Sequence, residues 1–236
     1  MVEFFEDVKE ARLEREKMEV LTSRLKLLVS LLADYVNSRP ACEITPPAAD
    51  IYFMANTKTI IEKTPIDVEV TATSFTTLLA QLPRLSEEWR QSKNEKLTTL
   101  VNTYRKHTAS EAGNARTLNI DLTPLDLATT YFKCSFCLEP ISYPRILAHN
   151  CMTSFYPPQY GHTHQREFVS LYTRPWNHNG SSVTFHEYAH KCARWIVEVC
   201  GFDPELITAR DMDEANPMLY CRSCGLRHIM GWRKAV

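Results

Sequence analysis

Two closely spaced pairs of cysteines constrain this chain of 236 residues more than any other sequence feature. Cys134 and Cys137 form one C-x2-C pair, and Cys221 and Cys224 form a second. The N-terminal residues alternate acids and bases without the apolar stretch of a secretory signal, so we expect an intracellular protein, cytoplasmic or nuclear. Thiols stay reduced in such a compartment. The spacing therefore predicts metal ligands and not disulfides.

The first pair is followed by two further residues of ligand type, His149 and Cys151. Two thiolates two residues apart approach one tetrahedral Zn2+ from a tight turn, and the remaining ligands return about a dozen residues later. The H-x-C spacing of His149 and Cys151 is shorter than the gap in ordinary zinc fingers, which leaves open that one of them does not bind. The alternative is a set of reduced cysteines in an apolar core.

The second pair lies in the segment LYCRSCGLRHIM, where a glycine directly follows Cys224. Glycine suits a knuckle turn, because backbone of positive φ turns N–H groups toward the thiolates. The pair joins Cys134 and Cys137 in one four-cysteine site, or it holds a second ion with His228 or a residue beyond the present end. Either site would be closed by protein ligands and would therefore be structural, without catalytic residues.

A competing pattern is the H-E-x-x-H of His186, Glu187 and His190. On a helix the two histidines lie one turn apart, and Glu187 is placed to activate a zinc-bound water, so the alternative function is a zinc metallopeptidase. We prefer an amphipathic helix over about residues 185 to 200 that ends at Gly201. This helix would bury Ala189, Ala193, Ile196 and Val197.

The charge balance argues against several classes of partner. The chain has 27 Lys and Arg against 28 Asp and Glu, a net charge of -1, so it does not attract nucleic acid or anionic membranes as a whole. A local basic patch at the end of the chain comprises Arg222, Arg227, Arg233 and Lys234 beside Trp232. The longest apolar run near the N-terminus, LLVSLLA, is too short to span a bilayer. We expect protein partners, with neither nucleic acid nor a membrane.

The N-terminal half of the sequence predicts helices. Apolar residues at three- and four-residue steps indicate one long helix over 8–38 whose first half lies in solvent, followed by an irregular connector over 40–56. The alternating IDVEV over 66–70 predicts a short strand or extended segment. A helix is expected to begin near Thr73 and to be interrupted by Pro83.

A further helix is predicted over 86–107, and the small, polar stretch that follows it is the best candidate for a domain boundary. We therefore divide the chain into a helical region over 1–112 and a Cys/His zinc-binding domain over 113–236. The predicted fold class is mainly α, with a small α+β, zinc-stabilised C-terminal domain.

Three blocks of the sequence together resemble a known group of proteins. They are IEKTPIDVEVTATSFTTLLAQLPRLSEEWRQSK over 61–93, LDLATTYFKCSFCLEPISYPRILAHNC over 125–151, and IVEVCGFDPELITARDMDEANPMLYCRSC over 196–224. In order and spacing they resemble the C-terminal region of F-box-associated, zinc-finger-like proteins of mushroom-type (basidiomycete) fungi.

The resemblance implies a helical region that leads into a zinc-finger-like module. It carries ligand roles over to Cys134, Cys137, His149, Cys151, Cys221 and Cys224. It also implies that HEYAH belongs to an ordinary helix. The sequence lacks the L-P-x-E start of an F-box, so a role as a ubiquitin-ligase adaptor is implied only by association. The expected function is a protein-interaction module without catalytic activity, fixed by Zn2+.

Overall fold

The computed structural model of the chain describes residues 2–112, 123–154, 166–220 and 229–236. Most of these residues are helical, and the strands are short and lie toward the C-terminus. The predicted mainly-α fold with a small α+β C-terminal region is confirmed.

The first helix, α1, spans Val2–Asn37, close to the helix predicted over 8–38. Residues 6–17 are exposed throughout, as expected for the charged first half. The second half buries Leu25, Leu28 and Leu32. The steps between these leucines place them on one face of the helix, so only this half contributes to a core.

The predicted irregular connector over 40–56 is wrong in its second half. Two short helices form there, α2 (Ala48–Tyr52) and α3 (Ala55–Lys58), and a π-helical turn over Thr59–Lys63 follows them. Pro47 precedes α2 with a φ of -60°, which suits the start of a helix. Ile51 and Tyr52 are buried, and this burial stabilises a helix that would be too short to form alone.

The alternating segment over 66–70 does not become a strand. It forms a turn in which the backbone N–H of Val68 donates to the carbonyl of Pro65 at 3.1 Å. The carbonyls of this region are engaged by the buried guanidinium of Arg24, which donates to Thr64, Pro65 and Val68 at 2.8, 2.7 and 2.9 Å. Carbonyls that accept from Arg24 are not available to pair with a neighbouring strand. This explains why the alternation of apolar and charged residues over 66–70 did not lead to a strand.

A 3-10 turn over Ala72–Phe75 leads into α4 (Thr76–Ala112), so the predicted start near Thr73 is confirmed. The predicted interruption at Pro83 is wrong, because the helix continues through it. Proline in a helix interior costs about 3 kcal/mol. Leu78, Leu82 and Trp89 are buried on either side of it, and each such side chain contributes roughly 1.5–3 kcal/mol. Their burial outweighs the cost of the proline.

A small antiparallel sheet carries the first cysteine pair. Its strands are β1 (Tyr131–Cys134), β2 (Pro140–Ser142) and β3 (Val183–Phe185), in the order β2-β1-β3. Phe132 pairs with Ile141 on one side and with Phe185 on the other. Cys134 is therefore the last residue of the central strand, and Cys137 lies in the loop of the β1–β2 hairpin.

The remaining elements are short helices and one further hairpin. They are α5 (Arg166–Leu171), α6 (Glu187–Val199), α7 (Ala209–Ala215), β4 (Met218–Tyr220), β5 (Ile229–Gly231) and α8 (Trp232–Ala235). Strands β4 and β5 are antiparallel. The segment between residues 152 and 184 thus contains α5 and the start of β3.

Helix α6 agrees with the amphipathic helix predicted over about 185 to 200. Its buried residues are the four that were expected, Ala189, Ala193, Ile196 and Val197. Gly201 follows with a φ of 83°, in the left-handed region that glycine adopts readily at the end of a helix.

The contacts divide the chain into two compact units. One comprises 1–90 and 152–178, and the other comprises 91–151 and 179–236. This division differs from the predicted one at residue 112. The second half of α4 belongs to the same unit as the small sheet, and α5 packs against α1 in the other unit. The stretch expected as a boundary falls partly on residues 113–122, outside the described residues.

Candidate metal centre

Four of the predicted ligands lie together within the second unit. The ligand atoms of Cys134, Cys137, His149 and Cys151 all lie within 4.8 Å of one another. The Sγ of Cys137 is 3.3 Å from the Nε2 of His149. Cys134 is buried, and the other three are partly exposed. This cluster could bind a metal ion. It is the only such group found in the described parts of the chain.

The β1–β2 hairpin positions the two thiols of the first pair. The backbone N–H of Leu138 donates to the carbonyl of Cys134 at 3.0 Å, which closes a tight turn after β1. Within this turn the N–H of Phe136 points at the Sγ of Cys134 at 3.3 Å. A backbone N–H directed at sulfur stabilises a thiolate, because it places positive charge beside the anion.

The turn ends in an unusual backbone conformation. Leu138 has a φ of 61°, in the left-handed region that few non-glycine residues occupy. The conformation brings the chain round after Cys137 so that it enters β2 at Pro140. This feature could not be predicted, because the residue after the first cysteine pair is a leucine, whereas a glycine follows the second pair.

The other two residues of the cluster belong to a pair of successive short 3-10 helices. The first spans Arg145–Ala148 and buries Ile146 and Leu147, and His149 ends it. The second spans Asn150–Met152 and contains Cys151. Since the buried residues of these turns anchor the backbone, both His149 and Cys151 face the hairpin. Neither residue of the H-x-C pair lies apart from the C-x2-C turn, because the ligand-type atoms of both belong to the cluster.

The electrostatics of the cluster favour a bound cation. Burial, together with the neighbouring charges of Cys134 and Cys137, raises the pKa of the Cys151 thiol to about 11. Several thiolates so close together repel one another unless a positive ion lies between them. Burial lowers the pKa of His149, which favours the neutral imidazole that a metal requires. The donor set therefore fits a divalent ion.

The second cysteine pair cannot be placed in the same way. Cys221, Cys224 and His228 lie outside the described residues, as do His162 and His164. The described structure includes only the strands on either side of the pair, β4 and β5, with Tyr220 and Ile229 in register. The assignment of Cys221 and Cys224 as ligands stays a prediction.

The three residues of the H-E-x-x-H pattern each make contacts within the protein. Helix α6 begins at Glu187, and His186 caps it, accepting the N–H of Ala189 at Nδ1. A neutral imidazole that accepts at Nδ1 carries its proton on Nε2, so His186 has no lone pair left for a metal. Glu187 pairs with Lys191 at 2.9 Å on the helix surface.

His190 serves to pack the helix. Its Nδ1–H donates to the carbonyl of Thr129 at 2.6 Å. The rings of Tyr104 and Phe185 lie 5.4 and 5.2 Å from its own. Burial lowers its pKa, and the charge of Arg194 acts in the same direction. These contacts indicate a neutral histidine within the core.

The described part of the basic C-terminal patch is engaged within the protein. Arg233 donates from Nε and Nη2 to the carboxylate of Asp213 at 2.8 and 2.7 Å, and its guanidinium lies over the Trp232 ring. Trp232 is itself buried and donates its indole N–H to Asp213. These two residues are therefore not arranged to bind phosphate. No described helix is long and apolar enough to cross a bilayer.

Comparisons with protein-family models, with curated proteins and with solved structures found no match. The resemblance to F-box-associated fungal proteins therefore stays a prediction. The metal centre rests on its own geometry.

Proposed function

We propose that this chain is an intracellular, zinc-stabilised protein-interaction module without catalytic activity, related to the F-box-associated proteins of mushroom-type fungi. The observation that supports this proposal most is the convergence of Cys134, Cys137, His149 and Cys151. The four come from two separate turns, one in the β1–β2 hairpin and one after it. A convergence of this kind is a common basis for a structural metal site.

Zinc is the ion that suits these donors best. Three thiolates and one imidazole form a soft and borderline ligand set, which selects zinc over the oxygen-binding ions calcium and magnesium. In a tetrahedral zinc site with bonds of about 2.3 Å to sulfur and about 2.0 Å to nitrogen, a sulfur and a nitrogen ligand lie about 3.5 Å apart and two sulfurs about 3.8 Å apart. The Sγ of Cys137 and the Nε2 of His149 are 3.3 Å apart, so a shift of about 0.2 Å would bring them to the sulfur–nitrogen separation.

The proposed role of the ion is to hold the fold. When bound, zinc would compensate the charge of the thiolates and join the hairpin to the segment that carries His149. Four protein ligands complete a tetrahedral shell and leave no position for a reactive water, which supports the absence of catalysis. Binding would be coupled to folding, because the thiols give up protons as the site closes.

The test is the metal content of the full chain purified without added metal, measured by native mass spectrometry. Cys137→Ser is expected to bind one zinc ion fewer than the parent. Cys200→Ser is the matched control, since Cys200 is a free cysteine outside the cluster. Glu187→Gln is also expected to keep the parent's zinc. The proposal is overturned if Cys137→Ser keeps the full metal content, or if Glu187→Gln or Cys200→Ser loses an ion.

A further inference from the structure

Helix α6 carries an exposed apolar stripe besides its buried face. Tyr188, Trp195 and Val199 are 73%, 66% and 59% exposed, and Cys192 between them is partly exposed. The four residues follow one another at steps of four, three and four. At 3.6 residues per turn, they lie within an arc of about 60° on one side of the helix. We call these four residues the α6 stripe.

An exposed stripe of this kind indicates an interaction surface. Large aromatic side chains are enriched in the centres of protein interfaces, and a tryptophan is among the commonest residues to dominate the binding energy. The buried residues of α6, such as Ala193 and Val197, lie on a different side of the helix. Packing within the described unit therefore does not account for Tyr188 and Trp195.

The spacing of the α6 stripe is that of the a and d positions of a coiled-coil heptad, with Tyr188 and Trp195 at d and Cys192 at a. In this register Lys191 and Glu198 both occupy g positions. They flank the stripe on the side turned away from the buried face, and both are exposed. The two opposite charges stand on the same edge of the stripe, seven residues apart.

This charge pattern is complementary to itself. When two such helices pair in antiparallel fashion, g positions face g positions, so Lys191 of each copy meets Glu198 of the other. The same arrangement packs Trp195 against Cys192 of the second copy, and Tyr188 against Val199. A parallel pair would place the charged edges opposite Ala189 and Ile196, which are buried in their own subunit.

We propose that the α6 stripe binds a second copy of this chain, in a two-fold symmetric, antiparallel pair of α6 helices. Two-fold symmetry requires a patch that is complementary to itself, and the α6 stripe with its flanking charges meets this requirement. Lys191 already pairs with Glu187 at 2.9 Å on the surface. Such an exposed pair is weak, so Lys191 can exchange this partner for Glu198 of the second copy.

The expected dimer is weak and reversible. The two aromatic rings of each copy expose up to about 300–400 Å² for burial, well below the roughly 800 Å² per partner of a stable interface. Area alone does not set affinity, so we take a dissociation constant on the order of tens of micromolar as the expected value for a weak interface of this kind. The inference adds a partner to the proposed function and does not depend on the metal, because zinc content and oligomeric state are measured separately.

The first test is analytical ultracentrifugation of the full, metal-loaded chain over a range of concentrations. The parent is expected to dimerise at the highest concentrations. Trp195→Ala is expected to weaken the dimer by about a thousandfold, since symmetry removes the ring twice and each truncation at an interface centre costs at least about 2 kcal/mol. Because Trp195 is largely exposed, we expect the Trp195→Ala variant to keep the parent's zinc content and thermal midpoint, which would show that it folds.

A charge exchange tests the antiparallel pairing itself. Lys191→Glu and Glu198→Lys should each weaken the dimer by about tenfold, because each places like charges opposite one another twice. An equimolar mixture of these two variants should form a mixed dimer, and the variant with both substitutions should recover the parent's affinity. Arg210→Glu is the matched control, since it too breaks an exposed ion pair four residues apart, at 3.0 Å from Glu214.

Three results would each overturn the proposal. The first is that the parent stays monomeric at about 1 mM, a concentration well above the expected dissociation constant. This result would mean that the α6 stripe binds a different partner. Another is a dimer that survives Trp195→Ala. The third is a pair of charge variants that fail to combine with each other while the parent dimerises.

Discussion

The Nε2 of His149 lies 3.3 Å from the Sγ of Cys137, although the two residues belong to separate turns of the chain. The first lies after a 3-10 helix and the second in the loop of a hairpin. Their contact brings a neutral nitrogen donor to a group of three thiols. The C-x2-C pair is close in sequence, whereas His149 comes near it only when the chain folds.

Removal of this imidazole is expected to weaken the metal site. Loss of a residue that only hydrogen-bonds to a metal ligand lowers affinity by about 10–100-fold. His149→Ala should lower zinc affinity by more than this, because it removes a ligand itself. His149→Cys should retain the ion, because it supplies a fourth thiolate. A competition titration against a chelator measures both. His178→Ala is the control, since this histidine packs against Phe168 and not in the cluster. An unchanged affinity in His149→Ala would show that His149 is not a ligand.

The left-handed backbone at Leu138 gives a second prediction. Leu138→Gly should stabilise the zinc-loaded protein by roughly 0.5–1 kcal/mol, because the about 1–2 kcal/mol cost of this conformation exceeds the extra flexibility of glycine in the unfolded chain. Leu138→Val should destabilise it, since a β-branched residue fits a positive φ poorly. The free energy of unfolding in urea measures the effect.

The matched control for Leu138 is Leu206, which is also an exposed leucine in a turn but is not among the residues of positive φ. Leu206→Gly should lower stability by up to about 1 kcal/mol, through backbone entropy alone. A loss of stability in Leu138→Gly comparable to that in Leu206→Gly would contradict the account of the turn.

The buried Arg24 gives a third prediction. Its guanidinium donates to four carbonyls, those of Ile61, Thr64, Pro65 and Val68, at 2.7–2.9 Å. Arg24→Leu would leave these acceptors without their donor, and an unsatisfied buried acceptor costs about 1–3 kcal/mol. We expect a loss of roughly 3 kcal/mol, since only the contact with Ile61 is fully buried.

Arg15→Leu is the control for Arg24, because Arg15 is an exposed residue of the same helix. It should change stability by less than about 0.5 kcal/mol. Both variants are compared by urea unfolding. Equal, small effects would mean that water replaces the guanidinium at these carbonyls.

The partly buried His190 predicts a dependence of stability on pH. Its pKa in the folded protein is lowered by burial, below the ordinary value of 6.5. The unfolded chain therefore binds a proton more readily than the folded one. The contribution of His190 is fully present above pH 6.5 and is lost as the pH falls below that value.

The variant His190→Asn retains an N–H that can donate to Thr129 and removes the titration. Its thermal midpoint should fall less than the parent's between about pH 7.5 and 5. Loss of metal lowers both midpoints, so the difference between the two proteins is the measured quantity. Parallel curves for parent and His190→Asn would show that His190 does not titrate in this range.

Several elements could be predicted from the sequence because their signals are local. The apolar residues of α6 recur at helical spacing, and its four buried residues were identified from that pattern alone. The same holds for α1, where only the second half carries regular leucines. The cysteine and histidine spacing likewise identified the four residues of the metal centre, because ligand type and separation constrain which residues can surround one ion.

The places where prediction failed depend on distant contacts. Pro83 should end a helix, yet buried side chains on both sides hold the helix together. The alternating segment over 66–70 should extend, yet Arg24, more than forty residues earlier, donates hydrogen bonds to the carbonyls of Pro65 and Val68. Neither contact leaves a mark in the local sequence, because each depends on which residues meet after the chain has folded.

The sequence by itself therefore determined which residues are chemically equipped to bind a metal and which stretches are helical. Only the tertiary structure decided that His149 and Cys151 both lie beside the C-x2-C turn. It also decided that the Nδ1 of His186 accepts a hydrogen bond from the N–H of Ala189 and so caps α6. It also decided that Trp195, on the other side of α6, stays exposed. The physical reason is that ligand geometry, hydrogen-bond partners and burial are properties of distances through space, which local propensity does not fix.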